Sequence, residues 1–469
     1  MSASFKSILA VFLLALVAPA IFAAEPNPPD TQSPPAPKLK ITETSLGKLG
    51  SNYESLAVSP DSKRVAYTVK QGEKQLVVVD GAESAKYDSI KPWSLVFSPD
   101  SKRVAYVATR GDKWLVVVDG AEGKEYRLAS CVAFSPDSKR IAYEAYEWPG
   151  RRVVVVVDGI ESKEYDGIQN GTLPFSPDSK RIAYTVHREM KWLVVADGVE
   201  GKEYDGAGWP AFSPDSKRVA YVAYRGEKQF LVVDEVEGKE YNSIIYGTLV
   251  FSPDSKRIAY VVEHGGKQRV VVDGIESKEY DGILEGTLVF SPDSKRVAYI
   301  AALGGKQIAV VDNVEGKEYD GSIAAGSLMF SPNSQRVVYA AWRGAKRFVV
   351  VDGAEGKEYD NAAQIVFSPD SKRIAYVAKR GDKQLVVVDG VEGKEYDEAG
   401  LLVFSPDSKR VVYAAQRGDE WLVVVEGVEG KEYNVFIKGS RLVFDSPTKL
   451  HTLAYRDSEF FLVEIEITE

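Results

Sequence analysis

A chain of 469 residues with 44% apolar and 27% charged residues has ample material for a core and the composition of a soluble globular protein. Its formal charge of −9, from 59 basic and 68 acidic residues, is evenly spread, and the lack of any basic block argues against a nucleic-acid partner. The single cysteine, Cys131, excludes an intramolecular disulfide and reads as a small packed residue.

Residues 1–23 read as a secretory signal. Lys6 precedes an apolar stretch from Ile8 to Val17, and the small residues Ala18, Ala20, Ala23 and Ala24 follow. Cleavage is expected after Ala20 or Ala23. No cysteine follows that zone, so no lipid anchor is expected, and the mature chain should be periplasmic or secreted with no membrane insertion. Residues 24–38 form a linker, with six prolines between Glu25 and Lys38 that make it stiff and extended.

From residue 39 to 469 the chain is a repeat array. The residue before a Ser-Pro or its degraded equivalent falls at Val58, Phe97, Phe134, Phe175, Phe212, Phe251, Phe290, Phe330, Phe367, Phe404 and Phe444, a spacing of 37 to 41 residues. Residues 245 to 283 typify the unit. Thr248 to Phe251 is a short first strand, and Ser252-Pro253-Asp254-Ser255 is a type I turn. Arg257 to Val262 is the second strand, Gly265-Gly266 breaks it, and Arg269 to Asp273 is the third. Gly274 to Ser277 turns the chain into a polar fourth strand, Lys278 to Asp281. The middle strands are apolar on both alternating faces, so both faces must be covered. The repeated Phe, as in Phe251, is expected to be a core aromatic. Pro, Gly and runs of Val leave no room for helix. The expected fold is therefore an all-β propeller of about eleven four-stranded blades.

The segment F-S-P-D-S-K-R-[VI]-A-Y followed by a V-V-D strand resembles the WD40-like propeller repeat of the TolB family, over about residues 53 to 469. Similar repeats occur in tricorn-type and prolyl-oligopeptidase-type propellers. The chain lacks the Gly-His and Trp-Asp signatures of true WD repeats and the separate N-terminal domain of TolB. The resemblance implies the propeller fold.

The last unit stops one strand short, and the apolar segment Leu39 to Leu46 precedes the first. That segment is expected to supply the missing outer strand and close one ring. Two consecutive rings of five and six blades are the alternative.

Of 25 tyrosines, 21 sit at two repeat positions, one ending R-V-A-Y and one in K-E-Y, and read as packing. Asp61, Asp100 and Asp137 read as turn formers, as do Asp80, Asp119 and Asp158. The histidines His187, His264 and His451 are scattered, and no nucleophile elbow or phosphate loop is present. No metal, cofactor or catalytic residue is expected. The tryptophans fall differently. Trp93 and Trp209 lie in connections between strand four and the next strand one, as does Tyr246. Trp148 and Trp342 lie in or beside connections between strands two and three, and Trp114, Trp192 and Trp421 start strand three. Both kinds of connection emerge on one face of a propeller, where the repeats also vary most. The leading expectation is a monomeric, non-enzymatic scaffold that binds a protein, peptide or glycan at this Trp-rich face. The alternatives are a lyase or hydrolase with its site in the central funnel, and a purely structural envelope protein.

Overall fold

The structure is a computed structural model that describes residues 36–49, 52–147, 152–169 and 173–468. The expected signal, most of the Pro-rich linker and Trp148 lie outside the described residues.

Among the described residues the repeats form eleven antiparallel sheets, each a blade of four strand positions. Blades are numbered in chain order from Tyr53. Blade 6 shows the pattern: Ser243–Ile244 and Val250–Phe251 are innermost, followed outward by Ile258–His264, Lys267–Val272 and Ile275–Glu276. Pleating sends alternate residues to opposite neighbours. Ile258, Tyr260 and Val262 pack toward blade 5, whereas Ala259 and Val261 pack toward blade 7. The core is therefore eleven separate clusters, one in each seam between consecutive blades. The eleventh joins Val65, Tyr67 and Leu76 of blade 1 to Ile437, Leu453 and Phe460 of blade 11. The array is thus a single ring, and the alternative of two smaller rings is excluded.

Two details differ from the sequence reading. The fourth strand begins at Ile275, because Asp273 and Gly274, with φ of 52° and 83°, form a two-residue hairpin turn of the type I′ pattern. The repeated Phe is buried in the core only at Phe330 and Phe404; elsewhere it lies at the core's margin, as at half-buried Phe251, with the Arg218 guanidinium 5.5 Å from its ring centroid. The fully buried aromatics are mostly tyrosines from the two repeat positions, such as Tyr280 and Tyr299, paired edge to face at 6.0 Å, with Phe230, Phe348 and Phe460 beside them.

The S-P-D-S-K-R segment does more than turn. Ser252 Oγ donates to Asp254 Oδ1 (2.6 Å) and accepts from Arg257 N–H (2.9 Å), which fixes the loop. The Asp254 N–H then donates to Ser294 Oγ of the next blade (2.9 Å). Arg257 Nε donates to Asp273 Oδ2 (2.8 Å), while Nη1 reaches the Ser294 and Lys295 carbonyls of blade 7 at 3.2 and 2.9 Å. Its guanidinium covers the Phe290 ring at 5.2 Å. A second latch runs along the outer edge. Tyr126 OH and Lys124 Nζ donate to Glu161 of the next blade (2.8 and 2.7 Å), and Tyr359 and Lys357 treat Glu392 alike.

Lys38–Lys48 closes the ring as expected, pairing antiparallel with Glu459–Thr468 as the outer strand of blade 11. It also continues the outer latch. Glu43 accepts from Lys431 of blade 10 (2.7 Å) and from Arg456 (2.8 and 3.0 Å), which hold its carboxyl down at about 2. At the seam with blade 1, buried His451 takes the place of the arginine. Its Nε2 donates to the Asp61 carbonyl and its Nδ1 faces Asp445 Oδ2, both at 2.7 Å.

Arg257→Ala should lower stability by about 1–3 kcal/mol, since it leaves Asp273 and two carbonyls short of a charged donor. Lys256→Ala, at a side chain 83% exposed, should change it by under about 0.5 kcal/mol. Denaturant midpoints of the two variants test the contrast.

Because the folded Glu43 carboxyl titrates below its unfolded value of 4.5, it stabilises the ring above that pH, and the contribution is lost as pH falls toward 2. Glu43→Gln should cost about 1–3 kcal/mol at neutral pH. It should also flatten the loss of stability between pH 4.5 and 2, which acid titrations of unfolding would show.

Candidate functional site

The segments that vary between repeats prove to be interruptions of the innermost strand, not links between blades. Ser89–Ile90 and Val96–Phe97 both pair with Val104–Arg110, and Ser243–Ile244 and Val250–Phe251 both pair with Ile258–His264. Trp93, Trp209 and Tyr246 therefore line the axis side of the ring, rather than loops at one end. This corrects the expected position. The cause is local: extra residues in the inner strand, three in blades 2 and 6 and one in blade 5, bulge away from the second strand, and the only free side faces the axis.

Each long bulge is a built turn. Ile245 N–H donates to the Val261 carbonyl (2.8 Å), and the chain turns through Tyr246-Gly247 with Gly247 at φ 75°. Thr248 Oγ1 then donates to the Ile245 carbonyl (2.6 Å) and accepts from Val261 N–H (3.0 Å). A positive φ at the third turn position is the type II pattern, which favours glycine there. Blades 7 and 8 place Gly286 and Gly326 at that point, clipped by Thr287 and Ser327. Blade 2 has the same clip at Ser94 and the favoured Pro92, but the glycine position holds Trp93 at φ 64°. Trp93 is also 88% exposed. An indole in left-handed backbone and in water has neither a conformational nor a packing reason to be there, and such rule-breaking concentrates at functional positions.

Between blades 5 and 6 the tips enclose a pocket of about 310 Å³. Trp209 and Tyr246 form its mouth, with ring centroids 5.2 Å apart in an edge-to-face pair, 39% and 54% exposed. Pro210, Val222, Tyr224 and Leu249 complete much of the lining, and no charged side chain enters it. Such a cavity offers aromatic surface and two phenol hydroxyls, and suits a neutral, largely apolar group.

The other tryptophans sit elsewhere. Trp114, Trp192 and Trp421 start third strands in the slot where other blades carry a glutamine. Gln229, Gln268 and Gln307 there accept an N–H from the next blade's inner strand at 2.8, 2.6 and 2.6 Å. The three tryptophans are half-buried in that seam instead, against Lys91, His187 and Phe436 respectively. Trp342 is half-buried under the Arg347 guanidinium at 5.6 Å. The structure thus brings Trp209 and Tyr246 together, leaves Trp93 exposed on another tip, and seats these four in the framework.

One cluster escaped the sequence reading. Glu144 in blade 3 is buried, and burial pushes its carboxyl up despite the neighbouring Cys131, Ser130 and Tyr146. Ser130 Oγ donates to Oε2 at 3.3 Å, while buried Oε1 has no hydrogen-bond partner. Cys131 holds the single left-handed position (φ 54°) of a short inner-strand bulge. The one sequence signal was an acid in a strand position where most repeats carry Val, Ile, Ala or Thr. Among the described residues no three His, Cys, Asp or Glu side chains gather as a set able to hold a metal ion.

No family model matches the chain, and no curated protein matches it either. Among solved structures, one described as the crystal structure of the eukaryotic initiation factor is similar at a TM-score of 0.40 and 14% identity, covering 71% of this chain and 96% of that one. The architecture is a β-propeller, a fold that suggests a binding scaffold in general.

Trp93→Gly should leave stability unchanged or raise it by up to about 1 kcal/mol, because glycine removes the left-handed strain. Trp421→Ala should lower it by about 2 kcal/mol or more, since a half-buried indole leaves a seam. Thermal and denaturant unfolding would separate the tip tryptophan from the framework one.

Proposed function

We propose that this ring is an exported, non-enzymatic scaffold that binds a peptide segment of a partner protein through its inner-strand tips. The pocket between Trp209 and Tyr246 is the anchor, and exposed Trp93 is a second contact. The observation that carries this reading is the pairing, within one uncharged cavity, of two large aromatic rings left open to solvent on a rigid strand. Trp and Tyr concentrate binding energy where a rigid backbone has already met the ordering cost. Thr248 and Ser94 clip the Tyr246 and Trp93 tips to the second strand, and the Gly208 N–H to Val222 carbonyl bond (2.7 Å) holds the base of the Trp209 segment, so the tips present the same geometry before and after binding. The resemblance of the repeat to TolB-type propellers supports the scaffold role, and the signal-like start of the chain supports export.

The neutral lining favours an apolar side chain of a peptide over a charged ligand. A glycan would use the same rings for stacking, and the experiment must distinguish the two. Peptide and oligosaccharide libraries should therefore be screened against the chain by tryptophan fluorescence, with hits measured by calorimetry. Trp209→Ala and Tyr246→Ala are each expected to weaken a peptide hit by about 2 kcal/mol while the unfolding midpoint stays put. Lys256→Ala, on the face of the repeated turns, should leave affinity unchanged. Oligosaccharide hits alone would reassign the ligand. Loss of binding in Lys256→Ala with normal binding in both aromatic variants would move the site to the opposite face.

A further inference from the structure

The face of the repeated turns carries a second kind of site, independent of the aromatic tips. Where the two-residue turn after the third strand (Asp-Gly, Asp-Glu or Asp-Asn) leads into the outer strand, an aliphatic residue is left in water. Val199, Val236, Ile275 and Val314, in four consecutive blades, are 70%, 70%, 74% and 69% exposed. Each borders a groove between its own blade and the next, with volumes of about 690, 440, 350 and 460 Å³ in that order. Four solvent-exposed aliphatic residues beside four open grooves are costly to maintain in a soluble ring.

The same molecule shows how such a groove is filled. The equivalent residue of blade 10 is Val428, and it is half-buried. Blade 11 has no Asp-Gly turn at this level. Its third strand runs on through Ile465 and Ile467, and the N-terminal strand returns beside it with Leu39 and Ile41. These four side chains join the core cluster of the blade 10 seam. A Cβ on Gly430 would meet Ile41 Cδ1 at 3.3 Å and Leu39 Cδ1 at 3.8 Å. On the equivalent Gly238 it would meet only the Leu231 carbonyl at 3.1 Å, on Gly316 the Ala309 carbonyl at 3.1 Å and the Tyr339 hydroxyl at 3.9 Å, and on Gly201 the Glu235 carboxylate of blade 5 at 3.0 Å; none meets an aliphatic side chain. The groove between blades 10 and 11 is thus closed by an extended strand that offers aliphatic side chains at alternate positions, and the four grooves from blade 4 to blade 8 lack that cover.

We infer that these four grooves receive extended segments of a partner protein in which two aliphatic residues alternate with polar ones, as Leu39-Lys40-Ile41-Thr42 does. The register follows from the pleat: alternate side chains enter the groove and their neighbours face water. Four equivalent grooves in a row favour a partner that repeats the segment, because each further contact becomes intramolecular.

The test uses a labelled peptide with the sequence of residues 37–48 and the full chain, read by fluorescence anisotropy. Saturable binding with more than one site per chain is expected. Val236→Asp combined with Ile275→Asp should lower the number of occupied sites, and both positions are exposed enough for the ring to stay folded. A peptide with Ile41→Asp should bind about tenfold more weakly or worse, since it loses one of the two aliphatic side chains that cover the groove. Absence of binding overturns the inference. So does binding that survives the double substitution, since the peptide is then exchanging with the chain's own strand in blade 11. If the peptide fails to bind but the chain self-associates and Ile275→Asp abolishes it, the grooves serve a second copy instead, and the inference is again overturned.

Discussion

The arginine that ends S-P-D-S-K-R carries the ring. In blade 6 it neutralises the aspartate of its own hairpin, donates to two carbonyls of blade 7 and covers that blade's phenylalanine. A guanidinium can do this because its planar donors diverge toward several acceptors while its faces remain free to stack. A lysine in the same place would reach one acceptor and cover nothing. The seam is thus satisfied on its polar side by the same residue that shields its apolar side, which lets a ring of short strands dispense with disulfides.

Eleven nearly equal seams make the ring only as cooperative as the one that closes it. The closing seam is also where the repeat chemistry is improvised. Blade 11 has no arginine of this kind, and His451 bridges to the Asp61 carbonyl instead. In the neighbouring seam with blade 10, Glu43 from the N-terminal strand stands in for the glutamate that other blades supply from their fourth strand. In a nearest-neighbour array, opening begins where coupling is weakest. The seam between blades 11 and 1, where Asp445 faces Lys63 and His451, is the expected starting point, while the Glu43 carboxylate acts one seam away, between blades 10 and 11.

Much of the fold was legible because it is written as pattern. Apolar residues on both faces of the middle strands required neighbours on both sides, and the spare segment before blade 1 matched the missing strand of blade 11. The latch was not legible, because its partners lie a whole repeat apart: Asp254 and Ser294 are 40 residues from each other, and each looks like an ordinary turn residue. The inner-strand bulges were visible only as arithmetic. Spacings of 37 residues precede Phe134, Phe212, Phe367 and Phe404; three of these blades have one left-handed residue at Cys131, Gln364 or Leu401, and the fourth carries Trp209 in an equally short bulge. Spacings of 39 precede Phe97 and Phe251, whose blades carry the longer clipped turn. In blades 2 and 6 the two extra residues form the displayed tip, whereas Trp209 is displayed from a short bulge. Reading tryptophans by loop, without that difference in spacing, placed them at the wrong part of the ring and merged tip residues with framework ones.

The division between constant and variable positions follows from which atoms the latches use. Every residue of S-P-D-S-K-R except the lysine and proline commits a polar group within or across a seam, so drift there breaks two blades at once. The tip of an inner-strand bulge commits nothing beyond its clip. Once Thr248 or Ser94 holds the base of the turn, the residues above it are free to be Tyr-Gly or Pro-Trp without disturbing any neighbour. That freedom alone would leave small or polar residues at the tips, because water and left-handed backbone both penalise large aromatic ones. The presence of Trp93 in a glycine position, and of Trp209 and Tyr246 around a shared cavity, runs against both penalties. A ligand that covers these rings offsets the cost of exposing them, and the unbound ring alone offers no such compensation.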